Sequence, residues 1–218
     1  MADLTAKMDR AQSVGEEIAN SISHGVGFLL ALAGAPILIV SALRYAHASM
    51  VVGVSIFSAT AILLYLTSTL YHALPRRRAK QVFQLLDHSA IFLLIAGTYT
   101  PFTLGVLHGA WGWVLFGLVW GLAVIGLLFK AIFGVKYDAV STALYIAMGW
   151  LVVIAIKPIV QATPPAGLIW LASGGLAYTL GVIFYRLDRL RYAHFVWHLF
   201  VLAGTVCHFF AVLMSTWA

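Results

Sequence analysis

Two pairs of polar side chains in this sequence have the spacing of neighbours on one helix face. His194 and His198 are four residues apart, and so are Ser68 and His72. Residues four apart on a helix lie about 6 Å from each other at their Cβ atoms. Two imidazoles at that separation can bind one metal ion, since zinc–nitrogen bonds are about 2.0–2.1 Å long. Metal binding is therefore the chemistry that these residues suggest, and Asp87, before another apolar stretch, is a candidate acid.

The composition places these residues in a membrane protein. The chain of 218 residues is 62% hydrophobic and 9% charged, whereas soluble domains average about 45–50% and about 25%. So few charged side chains cannot cover a surface in water, and the same numbers exclude a disordered chain. The single cysteine, Cys207, excludes a secreted module held together by disulfides.

Stretches without Asp, Glu, Lys or Arg indicate the membrane-spanning helices. A hydrocarbon core about 30 Å thick requires about 20 apolar residues of helix. Six such stretches occur, and the third is long enough for two spans, with a turn signal at 107–112. We therefore predict an all-α bundle of seven transmembrane helices, one domain over residues 18–218 after a polar tail at 1–17. The stretches are 18–43, 45–75, 88–129, 139–156, 158–185 and 192–218.

The basic residues predict the orientation of the bundle. When the thirteen Lys and Arg residues are assigned to the loops, eleven fall on the side of the N-terminal tail. The positive-inside rule then predicts a cytoplasmic N-terminus and an outer C-terminus. This assignment explains the net charge of +6 as a determinant of topology. We expect a multi-pass protein of the inner (plasma) membrane that does not bind nucleic acid.

The predicted topology brings the polar residues to one depth in the membrane. Span two runs inward, which puts His72 at its cytoplasmic end. Spans three and seven run outward, so Asp87 and the pair His194 and His198 also lie at cytoplasmic ends. Three histidine ligands with a fourth position open are typical of a catalytic zinc site. An acid beside such a site can hold the water or act as its base, so Zn²⁺ is the predicted cofactor.

Each of these residues also has a simpler explanation. Histidines near helix ends can lie at the membrane interface or bond to a neighbouring helix. Ser68 can bond to a carbonyl oxygen of its own helix, and Asp87 can be a helix-start charge favoured by the macrodipole. His24 can contact the site or lie at the interface. His208, about 15 Å beyond His198 along the helix, can line a cavity or be structural.

Glycines mark the expected positions of close helix packing. Gly117 and Gly121 form a small-xxx-small pair in span four, a pattern that lets two helices approach. We expect Gly174, Gly175 and Gly181 to have the same role in span six.

Several short motifs occur in the order found in one known family. By these motifs the chain resembles the hemolysin III family of bacterial membrane proteins over nearly its whole length. That family belongs with the progestin and adiponectin receptors (PAQR) and the alkaline ceramidases. The motifs are Glu17-Ile-Ala-Asn-Ser-Ile-Ser-His24, Ser68-Thr-Leu-Tyr-His72, Leu86-Asp87-His-Ser-Ala-Ile, Gly97-Thr-Tyr-Thr-Pro101, His194-Phe-Val-Trp-His198 and His208-Phe.

The resemblance implies a zinc ion on the cytoplasmic side, bound by three histidines, with an aspartate that contacts the zinc-bound water. By motif, the ligands correspond to His72, His194 and His198. The acid corresponds to Asp87 and a nearby hydroxyl to Ser68. The resemblance also implies chemistry on a lipid amide.

Two functions remain open from the sequence. One is a zinc-dependent hydrolase that cleaves a lipid amide, with Asp87 and Ser68 as its catalytic residues. The other is a non-enzymatic sensor or regulator of the membrane, in which zinc is structural. Both have a membrane lipid as substrate or ligand. Transport is disfavoured, because His208 is the only ionisable residue deep in a predicted span.

The charge distribution generates a prediction about topology. Alkaline phosphatase fused after Ala218 should be active and green fluorescent protein at the same position dark, because the C-terminus is outside. The same reporters fused in the basic loop at residues 186–191 should give the opposite result. Fluorescence from the C-terminal fusion would contradict the orientation.

Overall fold

The structure is a computed structural model that describes residues 11–75, 78–107, 109–187 and 189–217. Within these ranges the chain is helical and contains no strand. Seven segments are long and apolar enough to cross a membrane. The predicted class, an all-α bundle of seven spans, is therefore confirmed.

Eight α-helices and two irregular helical segments make up the seven spans. They are α1 (Val14–Tyr45), α2 (Ala48–Ala73), α3 (Arg78–Thr100), a π-helical segment (Pro101–Val106), α4 (Ala110–Phe133), α5 (Asp138–Gly149), a 3-10 segment (Leu151–Ala155), α6 (Ile156–Ala162), α7 (Pro165–Arg186) and α8 (Ala193–Ser215). The π-helical segment extends the third span. The fifth span consists of α5, the 3-10 segment and α6.

Two spans begin earlier than the charge-free stretches predict. Helix α1 begins at Val14, because Ser13 caps it and the Glu16 carboxylate accepts from the Ser13 N–H at 2.9 Å. Helix α3 begins at Arg78, so Asp87 lies within the helix and is not a helix-start charge. The prediction ended each span at the first charged residue. It missed these turns because a residue near a helix end can be helical when its charged side chain has a partner.

The fifth span extends beyond its predicted end. Lys157 and Pro158, which the sequence suggests lie near the break between spans five and six, belong to α6. The span is not one regular helix, since the tighter 3-10 turns after Trp150 join α5 to α6.

The bundle closes through its first and last helices. Helix α1 packs against α2 and α8, α2 against α3, α3 against α4, and α7 against α8. The main cluster of buried apolar side chains comes mostly from α1, α2, α3 and α8. Helices α5 and α6 make few contacts with their neighbours. This loose packing of the fifth span leaves space for a large cavity beside it.

A glycine permits the close contact between α2 and the third span. A Cβ atom at Gly53 would lie 2.7 Å from the backbone Cα of Pro101. Pro101 begins the π-helical segment, where a proline has no N–H for a regular helical bond. The missing side chain at Gly53 therefore allows α2 to lie directly against this backbone.

The predicted glycine contacts in span four are wrong within this chain. A Cβ atom at Gly117 or Gly121 would meet nothing within 4 Å, so these glycines do not pack against another described helix. In span six the prediction is correct for Gly174 and Gly181, where added Cβ atoms would lie under 3 Å from side chains. It is wrong for Gly175, which faces open space.

The contact at Gly53 can be tested by a single methyl group. Gly53→Ala should lower the melting temperature of the purified protein in detergent, because overpacking against fixed backbone costs roughly 1–3 kcal/mol. Gly117→Ala is the matched control, since its methyl meets no neighbour and alanine favours a helix. Equal melting temperatures for the two variants would contradict the close contact.

Candidate metal centre

Three imidazoles meet at the end of the bundle where α1 begins, here called the inner end. His72 is the penultimate residue of α2, and His194 and His198 lie on the first turns of α8. The three ring centroids are 4.7, 5.0 and 5.2 Å apart. One ring nitrogen from each histidine lies within 4.8 Å of the others. The structure therefore brings together the three histidines that spacing and depth predict as metal ligands.

A carboxylate of α1 orients the first of these rings. Glu17 Oε2 lies 2.8 Å from His72 Nδ1, and the nitrogen must donate because a carboxylate only accepts. The other nitrogen, His72 Nε2, is buried and has no hydrogen-bond partner among the described residues. Lys80 Nζ donates to Glu17 Oε1 at 2.9 Å and to the Tyr71 carbonyl oxygen at 3.0 Å. Lys80 thus fixes Glu17 against the end of α2.

Helix α1 also provides the partners of His198. The Nδ1 of this ring lies 3.2 Å from the Asn20 carbonyl oxygen and 3.1 Å from the Ser23 hydroxyl. A carbonyl oxygen accepts only, so Nδ1 carries the proton and the lone pair of the neutral ring is on Nε2. Histidines that bind metals commonly have this arrangement, with one ring nitrogen bonded to the protein.

The start of α8 is fixed by a second carboxylate of α1. Glu16 Oε1 accepts from the backbone N–H of Tyr192 at 2.9 Å, while its other oxygen bonds to Ser13. Tyr192 has a φ of 59°, which is uncommon for a residue with a side chain. The bond from Glu16 therefore holds the strained residue that directly precedes the turn carrying His194.

The donor set fits a zinc ion. Zn²⁺ binds neutral imidazole nitrogens, and a catalytic site leaves one position to water or substrate. The Nε2 atoms of His72 and His194 are buried without a partner in the described part of the chain. Leaving such polar atoms unpaired in an apolar bundle is costly, and a shared metal ion would satisfy both lone pairs.

A small cavity lies beside two of the three histidines, His194 and His198. Its volume is about 20 Å³, which is enough for one water molecule. Ser68 and Asp87 line it together with His194 and His198. Both predicted catalytic residues are buried. The structure therefore places a potential water, an acid and a hydroxyl next to the candidate ligands.

His24 belongs to this site, although the sequence left its role open. Its ring stacks on that of His198 with the centroids 3.5 Å apart, and its Nδ1 lies 2.7 Å from Ser68 Oγ. Glu17, Asn20 and His24 recur at helical spacing, so one face of α1 contributes all of these contacts. Sequence analysis did not identify this face, although that periodicity is a signal that could have found it.

A second polar cluster borders the small cavity on its other side. His88 and Tyr185 line the cavity, and both face Asp138 at the start of α5. The Tyr185 hydroxyl donates to Asp138 Oδ1 at 2.6 Å, and His88 Nδ1 lies 3.7 Å from the same oxygen. Arg186 approaches the other carboxylate oxygen at 3.4 Å. Sequence spacing gave no sign of this cluster, because its members come from three different helices.

A much larger cavity adjoins the small one. It has a volume of about 530 Å³ and lies between α3, the fifth span, α7 and α8. Most of its lining side chains are apolar. The two cavities share five wall residues, Leu64, Ile91, Tyr185, Trp197 and Val201. The polar site therefore lies at the edge of an apolar chamber.

The fold and the site together define a seven-span membrane protein with a three-histidine candidate metal centre. A family model described as "Haemolysin-III related" matches residues 12–209. The chain therefore belongs to the haemolysin III family, as the motifs predict.

Similar proteins of known name agree with this assignment. "Hemolysin-3" of Bacillus cereus is 45% identical over 211 residues, 96% of each chain. "Hemolysin-3 homolog" of Bacillus subtilis (strain 168) is 44% identical over 201 residues, 92% of this chain and 94% of that one. "Monocyte to macrophage differentiation factor" of Homo sapiens is 29% identical over 159 residues, covering 68% of this chain and 64% of the human one. The human match supports the predicted grouping with the PAQR proteins.

The role of α1 in the site gives a prediction about metal affinity. Glu17→Ala should weaken zinc binding by roughly 10- to 100-fold, because His72 loses the partner that fixes its ring and tautomer. Competition with a chromophoric chelator measures this affinity. Asp138→Ala is the control, since that carboxylate contacts none of the three candidate ligands. Equal affinities for both variants would contradict an orienting role for Glu17.

Proposed function

We propose that this protein is a zinc-dependent hydrolase of the plasma membrane that cleaves an amide bond in a lipid. Its membership of the haemolysin III family and its seven spans provide the context. The observation that supports the proposal most directly is the site itself. Three histidine nitrogens lie within 4.8 Å of one another, and two of these histidines, His194 and His198, line a cavity for one water molecule together with Asp87 and Ser68.

His72, His194 and His198 would hold the zinc ion. When bound, zinc lowers the pKa of a coordinated water to about 7 and polarises a carbonyl group. All remaining steps fall to side chains of the chain itself.

Asp87 is positioned to move the proton. Its buried carboxyl lines the cavity, so it can accept a proton from the attacking water and return it to the leaving nitrogen. Ser68 lines the same cavity and can donate a hydrogen bond to the substrate carbonyl oxygen. His24, 2.7 Å from Ser68 Oγ, fixes the orientation of that hydroxyl. In this arrangement Asp87, Ser68 and His24 each have a separate task.

The number of histidines favours a catalytic zinc over a structural one. Structural zinc sites almost always have four protein ligands, whereas the cluster in the described residues has three. The nearest further imidazole, that of His24, bonds to Ser68 through Nδ1 and stacks on His198, and it is outside the group whose ligand atoms lie within 4.8 Å of one another. A site with three ligands leaves one position for water or substrate.

The large cavity would accommodate the hydrocarbon part of the substrate. Its apolar walls suit an acyl chain, and its shared wall with the small cavity would put the amide beside Asp87. The gap between the loosely packed fifth span and its neighbours would admit the lipid from the bilayer.

Metal analysis and turnover test the proposal on the purified full-length protein. The wild type should contain about one zinc ion per chain, and His72→Ala and His194→Ala should each contain far less. Asp87→Asn should retain zinc and lose at least 100-fold in hydrolysis of fluorogenic N-acyl amides, in line with general acid–base contributions of about 10²–10⁴-fold.

The outcomes separate the hydrolase from the structural alternative. His47→Ala is a control for the loss of a histidine distant from the site, and it should leave zinc content and turnover unchanged. A wild-type protein without zinc would refute the metal centre. Zinc in the wild type with equal turnover in Asp87→Asn would refute the hydrolytic mechanism and favour a structural ion.

A further inference from the structure

His208 is an unusual residue in the wall of the large cavity. Its side chain is buried and lines the cavity. His198, Val201, Thr205 and His208 follow one another along a single face of α8. His208 lies ten residues beyond His198, which is about 15 Å along a helix. An imidazole therefore lies well away from the candidate metal centre, in a wall that is otherwise mostly apolar.

The bonding of His208 defines which ring nitrogen is free. Its Nε2 lies 3.3 Å from the carbonyl oxygen of Leu171, which can only accept, so Nε2 carries the proton. A neutral imidazole has one N–H and one lone pair, and the neutral form is favoured in an apolar surrounding. Nδ1 is therefore an acceptor, and it is buried without a partner in the described chain.

The ring is held firmly in this orientation. A Cβ atom at Gly174 of α7 would lie 2.4 Å from His208 Cδ2 and 2.5 Å from Nε2. The glycine thus lets that edge of the ring press against α7, while the Tyr178 ring packs 5.4 Å away between centroids. The edge with Nδ1 is the one not used by these contacts.

The hydroxyl groups in the same wall already have partners for their protons. Thr98 and Thr179 donate to carbonyl oxygens of their own helices. Thr205 donates to the Val201 carbonyl oxygen, so the hydroxyl of Tyr178, 2.7 Å from Thr205 Oγ1, must be a donor to it. Among the described residues that line this cavity, His208 alone has a buried polar atom without a partner.

We propose that His208 Nδ1 accepts a hydrogen bond from a hydroxyl group on the hydrocarbon chain of the lipid bound in the cavity. The ligand class is a lipid with one polar end at the inner end of the bundle and a hydroxyl further along its chain. The group on the ligand must be a donor, because the free nitrogen is an acceptor. This inference rests on the proposed function only in that a lipid chain occupies the large cavity.

A series of fatty acids tests the proposal without any need for turnover. Octadecanoic acid and its monohydroxy derivatives, with the hydroxyl moved stepwise along the chain, compete with a fluorescent fatty acid for the purified protein. One narrow range of positions should bind roughly three- to tenfold more tightly than the plain acid, the usual net contribution of one hydrogen bond. Dependence on position distinguishes this bond from a general effect of polarity.

Two variants of similar size provide the decisive comparison. His208→Asn places an oxygen acceptor where Nδ1 was and should keep the preference. His208→Leu has no acceptor and should bind all members of the series according to their hydrophobicity. Equal binding of plain and hydroxylated acids by the wild type, a preference that persists in His208→Leu, or no binding at all would overturn the proposal.

Zinc content and Asp87-dependent turnover, measured on the same preparations, separate this result from the proposed function. Zinc and turnover without a hydroxyl preference would overturn the role of His208 alone. A hydroxyl preference without zinc would leave that role standing and would refute the metal centre.

Discussion

The cost of an unpaired polar atom inside an apolar bundle determines how the inner end of this protein is built. Helix α1 provides hydrogen-bond partners for two of the rings, because the Glu17 carboxylate accepts from His72 and the Asn20 carbonyl oxygen accepts from His198. Each of these bonds uses Nδ1 of the ring and leaves the lone pair to Nε2. The same contacts that join α1 to α2 and α8 therefore also leave imidazole lone pairs that could bind a metal ion.

The sequence predicted depth in the membrane well and lateral neighbours poorly. The stretches without charged residues located the seven spans. The basic residues of the loops then predicted that His72, His194 and Asp87 lie at one depth in the membrane. Periodicity could not show which helix faces which across the bundle, so the bond between Glu17 and His72, 55 residues apart, was not predictable. The Asp138 cluster was missed for the same reason, since its contacts join α3, α5 and α7.

The errors in the predicted helix ends have a common physical cause. A charged residue was taken to end a span, yet Glu16, Glu17 and Lys80 all lie within helices. Glu17 and Lys80 bond to each other at 2.9 Å, and Glu16 bonds to the Ser13 and Tyr192 N–H groups. Charges that are paired in this way no longer require water. The departures from a simple hydropathy pattern thus mark residues that support the site.

Uneven packing connects this polar site to the rest of the bundle. Helices α1, α2, α3 and α8 pack closely and fix the histidines, whereas α5 and α6 contact their neighbours sparsely and leave the large cavity. Rigid placement is needed where a metal and a water molecule must be positioned within fractions of an ångström. A flexible lipid chain needs space and a few directional contacts instead. Under the two proposals, His198 would serve the first requirement and His208 the second, so one face of α8 would contact both the polar end of a ligand and a fixed point on its chain.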